Sequence, residues 1–179
     1  MDTTAIKALI DKYSIIQVGD KIGTRTTKGL DRDAFQAEVK PHKAEIIQYF
    51  AMQRQATQAK ADAEQATFDA IPGVAELRKA RTQAAQWQAA FARMMETGDS
   101  KMDAIEHPTP QQLAEMEAKY PQAVFALEAE RRAATTGNYR LSAIWTETYK
   151  ALRAGKDPDT VKADHDARMA EYTKSVMFD

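Results

Sequence analysis

The sequence predicts a mainly α-helical protein with one small β-hairpin near its N-terminus, and three observations carry that prediction. Alanine supplies 33 of the 179 residues while Leu, Ile, Val and Phe together supply 29, so helix is favoured and bulky core material is scarce. The seven glycines and six prolines fall mostly at the breaks between periodic runs. Only residues 14–27 are rich in β-branched side chains, and they surround the turn pair Gly19-Asp20. Residues 1–50 therefore read as a helix–hairpin–helix–helix module. Residues 42–97 read as a long antiparallel helical hairpin sharing its first turns with that module, and 108–179 as a C-terminal helical region.

Ala5, Ile6, Leu9, Ile10 and Tyr13 recur at steps of three and four behind Thr3 and Thr4, which predicts a short first helix with a threonine cap. Ser14 to Val18 and Lys21 to Thr27 form the arms of the hairpin. Asp31 caps a helix carrying Ala34, Phe35 and Val39, and Pro41 ends or restarts it because proline cannot continue the hydrogen-bond ladder. From His42 to about Ala70 there is no Gly or Pro, which predicts one long helix. Along it Tyr49, Met52, Ala56, Ala59, Ala63, Ala66 and Ala70 form a seam of mostly small residues.

Ile71-Pro72-Gly73 breaks that helix, and Leu77, Ala80, Ala84, Trp87, Phe91 and Met94 then repeat at three and four. Large side chains here are expected to fill the space left by the alanines opposite, making the two helices a closely packed pair and the Trp87–Met95 stripe part of the core. The alternative reading of the stripe is an exposed partner surface. Gly98 to Pro110 reads as a loop. Helices follow over 111–119, from Pro121 onward, over Leu141 to Leu152, and after Asp157-Pro158, with Gly137 either breaking or bending the chain. Val176-Met177-Phe178 is an apolar tail.

Lys and Arg number 25 against 26 Asp and Glu, a formal net charge of −1. That balance excludes a basic polyanion binder and an acidic mimic of DNA as whole-chain descriptions. The aliphatic share is low enough to suggest disorder, but near-zero net charge argues for a folded chain. With no cysteine there is no disulfide, thiolate metal site or Cys nucleophile. No early stretch has the layout of a cleaved leader, and no run spans a bilayer. The chain is thus expected to be cytoplasmic, without membrane contact.

Catalytic constellations are missing from the pattern. There is no nucleophile elbow, no phosphate-cradling glycine loop and no dinucleotide fingerprint. His42, His107 and His165 lie far apart, and Asp164-His165-Asp166 points in different directions on a helix, so it reads as solvated surface instead of a metal site. No enzymatic activity and no cofactor are expected, although carboxylates converging in space would reopen catalysis. Two cationic groups stand out. Lys21, Arg25 and Lys28 lie in or beside the hairpin, where Lys21 and Arg25 would share a face; they read as recognition of an acidic peptide or phosphate backbone, or as edge protection against aggregation. Arg131, Arg132 and Arg140 suit RNA, phosphate or an acidic protein surface, or are neutralised by Glu128 and Glu130.

Gly19-Asp20-Lys21-Ile22, Lys28-Gly29-Leu30 and Lys40-Pro41-His42-Lys43-Ala44-Glu45-Ile46-Ile47 together resemble the N-terminal docking domains of tubulysin-synthetase type. The resemblance spans under a third of the chain, and no synthase domain is read after it. It implies that the hairpin receives a partner's acidic tail, with Lys21 and Arg25 in docking roles. The remaining chain, with its Ala-rich helices and Lys119-Tyr120-Pro121-Gln122-Ala123, looks like small proteins of bacterial mobile elements, some of which are anti-CRISPR inhibitors of Cas9. That likeness implies stoichiometric binding to Cas9–guide RNA and a block of DNA cleavage, with no binding residue carried over. The expected function is accordingly binding without chemistry. An anti-CRISPR comes first, a docking or assembly adaptor, as a monomer or a homodimer, second, and a nucleic-acid-binding accessory protein third.

Overall fold

A computed structural model describes residues 2–19, 21–25, 29–98 and 106–177. Among them are eight α-helices, one 3-10 turn and one antiparallel two-stranded hairpin, so the fold is mainly α. The chain divides into two compact units, Met1–Asp62 and Ala63–Asp179.

In the first unit, α1 (Thr3–Tyr13) buries Ile6, Leu9 and Tyr13, the face its spacing predicts. Asp2, not a threonine, occupies the cap position, with no side-chain cap bond. Ser14 adopts a left-handed conformation at φ 48° and turns the chain into β1 (Ile15–Val18), which pairs with β2 (Lys21–Thr24) so that Ile15 faces Thr24 and Val18 faces Lys21. Gly19 supplies the positive φ, 59°, that the two-residue loop requires. The open end of the hairpin is tied to α1. Thr24 Oγ1 donates to the Tyr13 carbonyl at 2.7 Å and the Arg25 N–H to the Ser14 carbonyl at 3.0 Å.

Asp31 caps α2 (Arg32–Val39), its Oδ1 accepting the N–H groups of Asp33 and Ala34 at 3.0 and 3.1 Å. Pro41 lies in the 3-10 turn Lys40–His42, and α3 (Lys43–Asp69) follows directly. Ile6, Leu9, Tyr13, Ile15, Val39 and Ile46 make the core, with Phe35 packed edge-on to Tyr13 at 5.4 Å.

The second unit holds the end of α3 together with α4 (Val74–Thr97), α5 (Pro110–Lys119), α6 (Pro121–Thr135), α7 (Tyr139–Arg153) and α8 (Pro158–Met177). Gly73 makes the α3–α4 break at φ 84°, and a Cβ there would lie 2.2 Å from Cγ of Tyr120. Thr109 and Gln112 form a capping box on α5. Gly137 belongs to a true break, since α6 stops at Thr135 and Asn138 caps α7 by accepting the Leu141 N–H. The core contains Phe68, Val74, Leu77, Leu152 and Val161, and three alanines of α6, Ala123, Ala126 and Ala129, are completely buried within it. Arg78 locks the periphery by pairing with Asp69 and, at 3.0 Å, with Glu130.

Two sequence expectations are corrected. The alanine seam of α3 is not covered: Ala56, Ala59, Ala63 and Ala66 are exposed, and Met52 is 57% exposed. The stripe on α4 is buried only at its start, at Leu77 and Ala80, while Phe91 is 40% and Met95 69% exposed. The physical reason is area: a row of Ala removes little apolar surface from water when covered. The packed partners of α4 are α5 and α6, where Leu, Val and Phe side chains accompany the alanines. Val176 of the apolar tail is 56% exposed, and Phe178 lies outside the described residues.

Candidate functional site

Three lysines take their places from three separate elements. Lys21 starts β2, Lys40 follows α2 in the 3-10 turn, and Lys43 begins α3. They line one open groove of about 510 Å³ together with Ile22, Phe35 and Val39. Val39 is fully buried in its floor, while Phe35 and Ile22 are half-buried. No carboxylate lines this groove among the described residues. The nearby Glu38 is held elsewhere, by Lys12 at 2.7 Å, which keeps its carboxyl below the usual range. Because the two-residue loop makes Val18 and Lys21 a hydrogen-bonded pair, the main-chain N–H and C=O of Ile22 point away from β1. The groove thus offers an apolar floor, three ammonium groups and a stretch of strand edge.

A second cleft, of about 520 Å³, lies against β1 and holds Arg25 and Arg54 above Ile10, Ile15 and Phe50. Arg54 donates to the Gln17 side chain at 2.7 Å. The lining also contains Asp11, bound by Lys7 at 2.8 Å. Lys21 and Arg25 are both exposed, but they serve different clefts. Lys28 lies outside the described residues. Lys40, Lys43 and Arg54 were not singled out by sequence reasoning; the Lys-Pro-His-Lys run contained a signal for the first two, since a proline-centred turn brings residues 40 and 43 close together.

The C-terminal arginines form no comparable surface. Arg131 and Arg132 both bind Glu128 at 2.7 Å. Its carboxyl is lowered to about 2, mainly by the Arg131 hydrogen bond. Glu130 does not join them; it serves Arg78. Arg140 is exposed in the first turn of α7.

The three histidines occupy unlike environments. His42 binds Glu45 at 2.7 Å, and His107 stacks on Trp87 at 4.3 Å. His165 corrects the expectation of a solvated surface: it is only 5% exposed, with Trp145 at 4.1 Å and Phe125 at 5.6 Å between ring centroids. Thr148 Oγ1 lies 2.9 Å from its Nδ1 and also 2.9 Å from the Ile144 carbonyl. A hydroxyl has one proton, and here the carbonyl takes it, so Nδ1 carries the proton that bridges to Thr148. The imidazole is therefore not placed to deprotonate the threonine. No group of three His, Asp or Glu side chains among the described residues is arranged to hold a metal.

No protein-family model, no curated protein and no solved structure matches the chain. Among the described residues no helix is long and apolar enough to cross a membrane.

Proposed function

We propose that this protein is a non-enzymatic binding module whose N-terminal unit captures an acidic segment of a partner protein, with apolar side chains of that segment seated between β2 and α2. The observation that carries the reading is the convergence of Lys21, Lys40 and Lys43 on the apolar floor of Ile22, Phe35 and Val39 with no opposing carboxylate among the described residues. Charge complementarity selects an acidic occupant and rejects a basic one. Alternate residues of an extended segment reach floor and rim in turn, while its main chain meets the edge at Ile22. The resemblance to docking domains implies docking roles for Lys21 and Arg25; it supports the same assignment for Lys21, beside Lys40 and Lys43, while Arg25 lines the other cleft.

The partner expected from sequence, guide-loaded Cas9, falls under this reading as one protein to be tested on the same groove. The experiment is titration calorimetry of the full chain with a synthetic peptide alternating Glu or Asp with Leu or Phe, followed by guide-loaded Cas9 with cleavage as a second readout. Saturable peptide binding that is lost when Lys21, Lys40 and Lys43 are together changed to Glu supports docking. No heat at micromolar concentrations, or binding indifferent to the three reversals, removes it. Inhibition of cleavage that is equally lost in the triple variant extends the function to an anti-CRISPR.

A further inference from the structure

The second unit holds a separate cavity that the docking reading does not use. It measures about 150 Å³, room for about five waters, and lies between α7 and α8 with Thr148, Lys156, Thr160, Asp164, His165 and Arg168 on its walls. Among the described residues Lys156 and Arg168 make no ion pair. Glu147, also on the wall, faces Lys150 at 3.5 Å. With that pair cancelling, two cations stand against Asp164 alone.

His165 adds a third group. Its Nδ1 is committed to Thr148, whereas Nε2 has no hydrogen-bond partner among the described residues and is not sealed from solvent. The charges around the ring come from every side packed on it. Glu147 stands on α7, Lys156 precedes α8, and Lys162, Asp164, Asp166 and Arg168 stand on α8 itself; α6 presents the uncharged ring of Phe125. Lys162 and Asp166 bind each other at 2.5 Å, and of the cavity's two cations Arg168 acts on the ring.

The geometry points to a site for a small free oxyanion, of sulfate or phosphate type, held by Lys156 and Arg168 and completed by a proton on Nε2 of His165. Protonation turns Nε2 from an acceptor into a donor, and the anion adds a counter-charge to the one that Asp166 already supplies to the buried imidazole. Binding and protonation are therefore coupled: the anion binds more tightly as pH falls, and it raises the affinity of His165 for its proton by the same factor.

Sulfate is the probe, because its charge is constant across the range tested. It is titrated into the full chain at fixed ionic strength, at about pH 5 and about pH 8, while the Cε1–H resonance of His165 is followed by NMR. The expected result is a saturable shift, roughly fivefold tighter or better at the lower pH, which disappears in the Lys156→Ala/Arg168→Ala double variant. Both positions are exposed, and an unchanged spectrum of the remaining core resonances verifies that the variant folds. A linear, non-saturating shift, the same curve in the double variant, or an affinity independent of pH overturns the inference.

Discussion

Gly73 is the position where one added carbon does most damage. Its φ of 84° disfavours any side chain, and the Tyr120 ring occupies the space a Cβ would need. Gly73→Ala is expected to destabilise the protein by about 2–4 kcal/mol, read as a lowered midpoint in thermal denaturation. Arg78 is a second sensitive residue because it joins Asp69 on α3 to Glu130 on α6. All three side chains are about one-third exposed, so solvent screens them; Arg78→Ala is expected to cost about 1 kcal/mol in urea denaturation. His165 sets the acid response. Burial pushes its imidazole below the ordinary 6.5, so the folded chain binds this proton less readily than the unfolded one. Stability from this residue is complete above pH 6.5 and is lost as pH falls from there through the lowered value. The slope of unfolding free energy against pH in that window is expected to flatten in a His165→Gln variant.

At the scale of elements, the two alanine rows explain what the sequence makes readable. Ala56, Ala59, Ala63 and Ala66 on α3 and Ala123, Ala126 and Ala129 on α6 share helical spacing, yet the first row is exposed and the second fully buried. The difference lies in the neighbours. On α3 the intervening residues are Gln, Lys, Asp, Glu and Thr with one further Ala, Ala61, whereas α6 interleaves Val124, Phe125 and Leu127. Only the second row belongs to an apolar sector wide enough for α7 to cover. Ala126→Leu is expected to cost about 1–3 kcal/mol by overpacking, while Ala59→Leu stays within about 0.5 kcal/mol, compared by denaturant midpoints. The hairpin, by contrast, is legible because Gly19 and the β-branched arms act locally, although Ser14 ends α1, β2 stops at Thr24 and residues 26–27 of the expected second arm lie outside the described residues. The Pro72-Gly73 break and the Asp31 cap are legible too. The groove was not legible, since Lys21, Lys40 and Lys43 reach it from a strand, a turn and a helix. Burial of His165 escaped notice because it depends on Trp145 and Phe125 from two other helices.

At the scale of the whole molecule, each unit carries its own core, and a net charge of −1 hides local imbalance. The lysine groove is cationic although the chain is not, because Glu38 and Glu45 are engaged by Lys12 and His42. An acidic segment bound there is expected to weaken roughly tenfold as salt rises from about 50 mM to about 500 mM, since the rim ammoniums are solvent-exposed. The central claim is that the N-terminal groove, and no other surface, receives the partner. Backbone amide NMR of the full chain during titration with the acidic apolar peptide tests it most directly. The account predicts shifts concentrated at Ile22, Phe35, Gln36, Val39 and Lys43. Shifts concentrated instead along Trp87 to Met95, or around Arg131 to Arg140, would contradict it.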